Sequence, residues 1–270
     1  MRKVDYAYDV IIIGGGVVGS SIARELSKYK LNTCVLEKEL DVCCETSGRN
    51  SGVLHAGFNN KAGSLMAKFC VEGNENFDEI AKELDIPFKR TGKLVVGFNE
   101  EDKEKLIKMK EQGEANGVKG LEIINKDKIR KLSPYVEGNF ALYSPQTGIL
   151  NPFIYTIAMA ENAVSNGVKY FLDNEVLDIK KVLEKESSIF KIKTNKNVYR
   201  SKWLINSAGL NSDKIGKMMG IEDYTIYPCR GEYFILDQKL GKYLNMPAYP
   251  VPDEKMGGLG IHLTPSIDGN

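Results

Sequence analysis

The stretch that most restricts what this chain can fold into is "YDVIIIGGGVVGSSIARELSKYKLNTCVLEKE", residues 8–39. It reads as strand, tight glycine turn, amphipathic helix and second strand. The apolar, β-branched run ending at Ile13 suits a parallel strand covered on both faces. Gly14, Gly16 and Gly19 then supply the spacing G-x-G-x-x-G. The first glycine permits the turn, the second lets backbone approach a pyrophosphate, and the third lets the helix pack closely on the sheet. The amides of Val17 and Val18 open the helix, where free N–H groups and the positive dipole end favour phosphate. Alone the motif is weak evidence, since glycine-rich turns are common. Here Glu37 closes the second strand, at the separation needed for a carboxylate to accept hydrogen bonds from a ribose, with Lys38 beside it. The pattern therefore predicts a dinucleotide site and an α/β fold. It does not choose between NAD and FAD.

Composition narrows the classes further. A chain of 270 residues can bury a sizeable core, as one large domain or two interleaved ones. With 37 basic and 36 acidic residues the net charge is +1, so no global field favours nucleic acid or an anionic membrane. The five cysteines, Cys34, Cys43, Cys44, Cys70 and Cys229, show no Cys-x-x-Cys spacing. That excludes an obvious metal site or disulfide framework and is read as a reducing cytoplasm. The start, "MRKVDYAYDVIII", is interrupted by Asp5 and Asp9 and is unlike a signal peptide. No apolar stretch approaches the roughly 20 residues that span a bilayer, and a peripheral membrane association stays open.

The loop "ETSGRNSGVLHAGF", residues 45–58, follows Glu37 and carries Thr46, Ser47, Arg49, Asn50, Ser51 and one of only two histidines, His55. With it come "KAGSLMAKFCVEGN", "RTGKLVVGF", "PQTGILNP", "LINSAGLNSDKI", "PCRGEYFIL" and "GLGIHLTPSIDGN", in that order. Together these stretches resemble the FAD-dependent oxidoreductases of the D-amino-acid oxidase fold, and within it the L-2-hydroxyglutarate dehydrogenases and the bacterial FAD-linked glycerol-3-phosphate dehydrogenases. The resemblance runs from end to end. "YPVPD" and "GIHLTP" look like the first branch, whereas "FDEIAKELDIPFKRTG" and "AENAVSNGV" look like the second, so the substrate stays open between them.

The resemblance implies a Rossmann-like FAD-binding domain, residues 1–85 and 150–220, interleaved with a mixed-sheet substrate domain, residues 86–149 and 221–270. The family chain continues beyond "SIDGN" with a strand and a glycine-rich segment, so the resemblance implies a chain truncated at its C-terminus. It also implies cofactor contacts from residues 46–51 and from Val176 through its backbone. Ala208 and Gly209, small residues after the apolar strand "WLIN", leave room for a bulky cofactor.

Flavin oxidation of a secondary alcohol needs a base for the hydroxyl proton and a clamp for the substrate, because the cofactor supplies the hydride chemistry. His55 and His262 are the imidazoles available, and which of them acts as the base is open. For a small anionic substrate the expected clamp is Arg230, whose guanidinium can hold a carboxylate or phosphate by paired hydrogen bonds. Tyr233 shares its face if the segment is a strand. The bland alternative for Arg230 is a surface salt bridge to Glu232. Two other readings compete, a non-catalytic FAD-binding module and an amino-acid oxidase of the same fold. The electron acceptor (quinone, electron-transfer protein or oxygen) and the oligomeric state leave no mark in the sequence.

Coarse patterning predicts a helical segment over 64–85, strands at 93–98 and near "FALYSPQ", a charged surface helix ending at Gly117, and a short helix stopped near Pro134. It further predicts a helix from Pro152 to Asn166 and strands over "VKYFL", "EVLDIKK", "SIFKIKTN" and "VYRSKWLINSAG".

Overall fold

The computed structural model describes residues 5–184, 187–252 and 260–270. In chain order the elements begin β1 (Asp5–Ile13), α1 (Val17–Leu26), β2 (Thr33–Leu36), β3 (Val53–Leu54), α2 (Leu65–Glu75), α3 (Phe77–Glu83) and β4 (Phe88–Lys89). There follow β5 (Lys93–Gly97), α4 (Glu100–Ala115), β6 (Glu122–Asn125), α5 (Lys126–Leu132), β7 (Phe140–Ser144), β8 (Gly148–Leu150) and α6 (Pro152–Ser165). The last are β9 (Lys169–Phe171), β10 (Val176–Glu184), β11 (Ser187–Thr194), β12 (Val198–Asn206), α7 (Ser212–Lys217) and β13 (Ala248–Pro250).

The chain divides into two compact units. The first comprises residues 1–50 and 152–232, the second residues 51–151 and 233–270. The first changeover falls at 50/51, not near 85 as the sequence reading had it. Its cause is the packing of the two helices after residue 64: Phe77 stacks edge-on against Phe88 at 5.2 Å, and Val71 lies against the cluster containing Ala56, Phe58 and Val95. Phe77 and Ala81 of the second helix are buried there, whereas Leu65, Met66 and Phe69 of the first stay exposed. The predicted single helical segment is also two helices, α2 and α3, meeting at Asn76.

The first unit is built on a six-stranded sheet ordered β10-β11-β12-β1-β2-β9. β1 runs parallel to β12 and to β2, and β2 parallel to β9, whereas β10, β11 and β12 are joined antiparallel. Burial on both faces explains the unbroken apolar run of β1. Ile11 and Ile13 enter one core cluster with Tyr199 and Ile192, while Val10 and Ile12 enter another with Ala23 and Ala163. Full burial of one such aliphatic side chain contributes about 1.5–3 kcal/mol. Helices α1 and α6 pack together on the second of these faces, where buried Arg24 donates to Asn162 at 3.2 Å.

The second unit holds a four-stranded sheet, β13-β5-β7-β6, and a small antiparallel sheet, β3-β8-β4. Along β5 side chains alternate between faces. Val95 joins the cluster with Phe58, Leu106 and Leu142, and Leu94 and Val96 join the one with Ile124 and Ala141. Lys93 is therefore in phase with Val95. β13 lies parallel to β5, which brings Tyr249 level with Val95. No helix among the described residues is long and apolar enough to cross a membrane.

Candidate functional site

The glycine turn of the first unit has the geometry its spacing demands. Gly14 adopts φ +106°, and a Cβ there would stand 2.4 Å from the carbonyl oxygen of Ser207. At Gly19 a Cβ would stand 2.0 Å from the Gly14 carbonyl oxygen, so α1 meets the turn at a distance only glycine permits. Ser207 donates its hydroxyl to the Ile13 carbonyl at 2.8 Å, which ties the end of β12 to the end of β1. Ala208 packs beside this junction, and Gly209, at φ +54°, has open space where a Cβ would point.

Glu37 is buried at the end of β2. One carboxylate oxygen accepts from the Gly15 amide at 2.5 Å and the other from the Glu39 amide at 2.9 Å. A carboxylate offers about four acceptor positions, so two remain for hydroxyl donors. The loop beyond folds back over the turn: Cys43 N–H donates to the Gly15 carbonyl, and the Ser47 hydroxyl accepts from the Val17 amide at 2.9 Å. Ser47 Oγ also lies 2.9 Å from the place a Gly16 Cβ would take. The shape is thus a cradle at the strand ends, walled by backbone, with a buried carboxylate at one side. It fits an adenine dinucleotide, with Glu37 toward a ribose and the α1 N-terminus toward the diphosphate.

Other predicted cofactor contacts take varied positions. Val18 is exposed, and Val176 is buried in the core, its strand beginning just after Asn174, whose amide donates to the Glu37 carbonyl. Lys38 pairs with Glu39 at 2.8 Å and with Glu45 at 2.5 Å, and these partners raise its pKa. Thr46 starts a 3-10 turn, and the Asn50 side chain donates to the Thr46 and Ser47 carbonyls. Arg49 is exposed and reaches the Cys44 carbonyl at 3.4 Å. Ser51 falls in the second unit, where its hydroxyl offsets part of the rise that burial imposes on the Tyr249 phenol.

The second unit gathers both histidines. His55 follows β3, and its carbonyl accepts from the Asn74 side chain at 3.0 Å. The residue is exposed to solvent. Burial, then the charges of Lys93 and His262, lowers its pKa to about 4. His262 stacks on Tyr249, ring centroids 4.1 Å apart and planes 21° apart. Its Nδ1 lies 3.0 Å from the Gly260 carbonyl. A carbonyl only accepts, so Nδ1 is the donor in this contact.

A residue that the sequence reading passed over completes this group. Lys93 is 1% exposed. Its Nζ lies 3.4 Å from the Tyr249 ring centroid and 5.5 Å from that of Phe58. Burial lowers its pKa to about 7, and among the described residues no carboxylate acts on it. The signal was present in "KLVVG", since a lysine in phase with the inward Val95 breaks the alternation. Tyr249 was equally missed, for it lies 156 residues from Lys93 in a short stretch without periodicity.

Arg230 belongs to the first unit, its side chain 86% exposed and paired with Glu232 at 3.5 Å, the bland arrangement considered above. Residues 224–237 form neither helix nor strand, so the shared strand face expected for Arg230 and Tyr233 is absent. Tyr233 is exposed in the second unit and raises the Tyr249 pKa. Of the stretch "GLGIHLTP", residues 258 and 259 lie outside the described residues; the rest makes one bridge, Leu263 to Ala248. Among the described residues no cluster of His, Cys, Asp or Glu could hold a metal ion.

Comparison with known proteins agrees with this cradle. The chain is 44% identical to a glycerol 3-phosphate dehydrogenase of Caloramator mitchellensis over 97% of its length, and spans 54% of that protein. It is 37% identical to a mitochondrial L-2-hydroxyglutarate dehydrogenase of Nematostella vectensis, covering 97% of this chain and 60% of that one. The chain thus spans little more than half the length of these relatives. Among solved structures, the dithionite-reduced L-α-glycerophosphate oxidase of Mycoplasma pneumoniae with FAD bound superimposes with a TM-score of 0.83 at 28% identity, over 98% of this chain and 70% of that one. Residues 9–270 match the family described as DAO, FAD dependent oxidoreductase, and the chain belongs to that family.

Proposed function

We propose that this chain is the larger part of a flavoenzyme that oxidises the secondary alcohol of a small anionic substrate, with glycerol 3-phosphate first and an L-2-hydroxy acid such as L-2-hydroxyglutarate second. The observation that carries the reading is the dinucleotide cradle of the first unit, and the second unit adds an imidazole whose pKa burial lowers to about 4. Glu37 and the α1 N-terminus hold the nucleotide, as the burial and free acceptor positions of the carboxylate and the N–H donors and dipole of the helix end favour. Bound FAD supplies the hydride acceptor. His55, unprotonated above about pH 4, accepts the hydroxyl proton as the carbinol C–H leaves with its electron pair and a carbonyl forms. His262, stacked on Tyr249, is the second imidazole of that unit and orients the substrate oxygen. The preference for glycerol 3-phosphate is supported by the 44% identity to a dehydrogenase of that name. Five free cysteines fit a reducing compartment.

The test is an anaerobic titration of the purified full-length protein. Flavin absorbance is expected to bleach with glycerol 3-phosphate, and more slowly or not at all with L-2-hydroxyglutarate, glycine or L-proline. A spectrum unmoved by both hydroxyl substrates removes this substrate class, and retained FAD with no bleaching by any compound leaves the non-catalytic module.

A further inference from the structure

A side-chain amide taken out of water is costly unless its oxygen and its N–H groups find partners. Asn74, in the last turn of α2, is 4% exposed and finds them. Its oxygen accepts from Arg90 Nη1 at 2.8 Å, and its Nδ2 donates to the carbonyls of His55 and Gln146, each at 3.0 Å. A guanidinium only donates and a carbonyl only accepts, so turning the amide over would set like against like at all three contacts. Arg90, just after β4, is equally committed. Its five N–H groups reach Asp78 from Nε and Nη2, the Asn74 oxygen and the Gln146 carbonyl from Nη1, and the Asn74 carbonyl from Nη2 at 2.7 Å. The two carbonyls that Asn74 joins stand at a particular place. β3 pairs with β8, Leu54 opposite Gly148; His55 comes straight after Leu54 and Gln146 two residues before Gly148, so the amide bridges the two chains where their ladder stops. Cys70, one turn earlier on α2, directs its thiol at the same His55 carbonyl from 3.6 Å. Two residues on, Gly57 approaches α2 so closely that a Cβ would stand 2.8 Å from Val71 Cγ2.

We propose that Asn74, held by Arg90, is a positioning residue for His55: its amide fixes the main chain where β3 ends and so sets where the imidazole stands. The inference rests on the role given to His55 above. The His55 side chain is exposed, and the rotamers open to it depend on the φ and ψ of its own backbone. Proton transfer needs the ring within about 3 Å of the hydroxyl, and a misplacement of about 1 Å can cost about 10²-fold in rate. A main chain that could drift at this point would therefore waste the imidazole it carries. Ladder bonds to β8 hold it on the side before His55, and α2 holds it at the His55 carbonyl and after. Arg90 adds the third support, because it grips Asn74 by both the side-chain and the main-chain oxygen while also bonding Gln146. The amide thus cannot leave one carbonyl without breaking with the other.

The test is Asn74→Asp in the full-length, FAD-loaded protein. This variant keeps the volume and the oxygen that faces Arg90, whose charge keeps the new carboxylate ionised, and it sets a second oxygen against the His55 and Gln146 carbonyls. Labelled histidine gives the readout, with His55→Asn and His262→Asn assigning the imidazole signals of these two residues. The His55 signal is expected to shift or split while that of His262 keeps its parental place. In turnover kcat is expected to fall about tenfold or more with KM within about twofold of the parent and flavin content unchanged. A lowered unfolding midpoint with an unmoved His55 signal and parental kcat would make the contact a purely structural tie and overturns the proposal, as does an equal shift of both signals. Where Asn74→Asp does not fold, Arg90→Lys leaves Asn74 in place and removes the planar fork that holds it. The same His55 signature is expected there, and an unmoved signal overturns the proposal equally. Absence of turnover in the parent would remove the chemistry assigned to His55, whereas the spectrum needs no substrate and still decides the role of Asn74.

Discussion

The glycine cradle of the first unit and the aromatic surround of Lys93 in the second solve the same problem, holding charge away from water, by opposite means. In the cradle each buried polar group named above has a backbone partner: the Glu37 oxygens accept from Gly15 and Glu39, and the Ser207 hydroxyl is spent on Ile13. In the second unit Lys93 has aromatic rings and, among the described residues, no anionic partner. The cradle is made of main chain and tolerates no added atom, whereas the surround of Lys93 is made of side chains and would be more stable without the charge. Stability should accordingly fall on mutation in the first region and rise in the second.

The largest expected effect is in the cradle. Gly19→Ala places a methyl 2.0 Å from the Gly14 carbonyl oxygen, where only backbone movement can relieve it. Overpacking of this kind should lower unfolding free energy by about 3 kcal/mol and strip bound flavin. Urea unfolding and the ratio of flavin to protein absorbance read both. A variant with parental stability would mean that α1 slides freely on the sheet, and the contrast between the regions would fail.

Lys93→Met should do the reverse to stability, raising it by about 2 kcal/mol at pH 7, since a buried charge with no carboxylate partner among the described residues is replaced by a side chain of similar volume. The sign of the pH dependence follows from the lowered pKa. Below about pH 7 folded and unfolded chains both hold the Lys93 proton, and the penalty of burying the charge is at its full value. Between pH 7 and the ordinary lysine value the unfolded chain binds a proton that the folded chain does not, so parental stability climbs by up to about 1.4 kcal/mol per pH unit. Urea midpoints at pH 7, 8 and 9 should therefore show the advantage of Lys93→Met shrinking as pH rises. A constant advantage would mean that the lysine is not the titrating group.

The smallest effect is expected at Arg230. An exposed pair such as Arg230 with Glu232 contributes little, so Arg230→Ala should change stability by less than about 0.5 kcal/mol. Unfolding curves check this. A substrate clamp at this position would appear instead as a loss of about 2 kcal/mol in kcat/KM, the scale of a charged hydrogen bond.

The same contrast explains what could be read from the sequence. The cradle depends on backbone conformations set within thirty residues, so G-x-G-x-x-G after an apolar strand, with Glu37 following, located it. Strand β1, helix α6 and the surface helix α4 were legible for the same reason, each being a local periodic pattern. The group around Lys93 brings together residues 58, 93, 249 and 262, and no local pattern links them. Both histidines were noticed through their scarcity. Lys93 was hidden inside a strand that was assigned correctly, because lysine is ordinarily a surface residue and its phase along β5 went unweighed. Arg230 is the converse case. A cation beside glycine suits a clamp, but what it faces is decided by a segment with no regular structure.

The threading of the chain between its two units has a bearing on synthesis. Strand β1 sits between β2 and β12, and the Ser207 hydroxyl that closes its end reaches back to Ile13 across 194 positions of sequence. At about 5–20 residues per second, a ribosome completes β12 some ten to forty seconds after β1 has emerged. For that interval an aliphatic strand edge waits without its neighbour, which is the circumstance in which chaperones hold nascent chains and in which overproduction in bacteria leads to inclusion bodies.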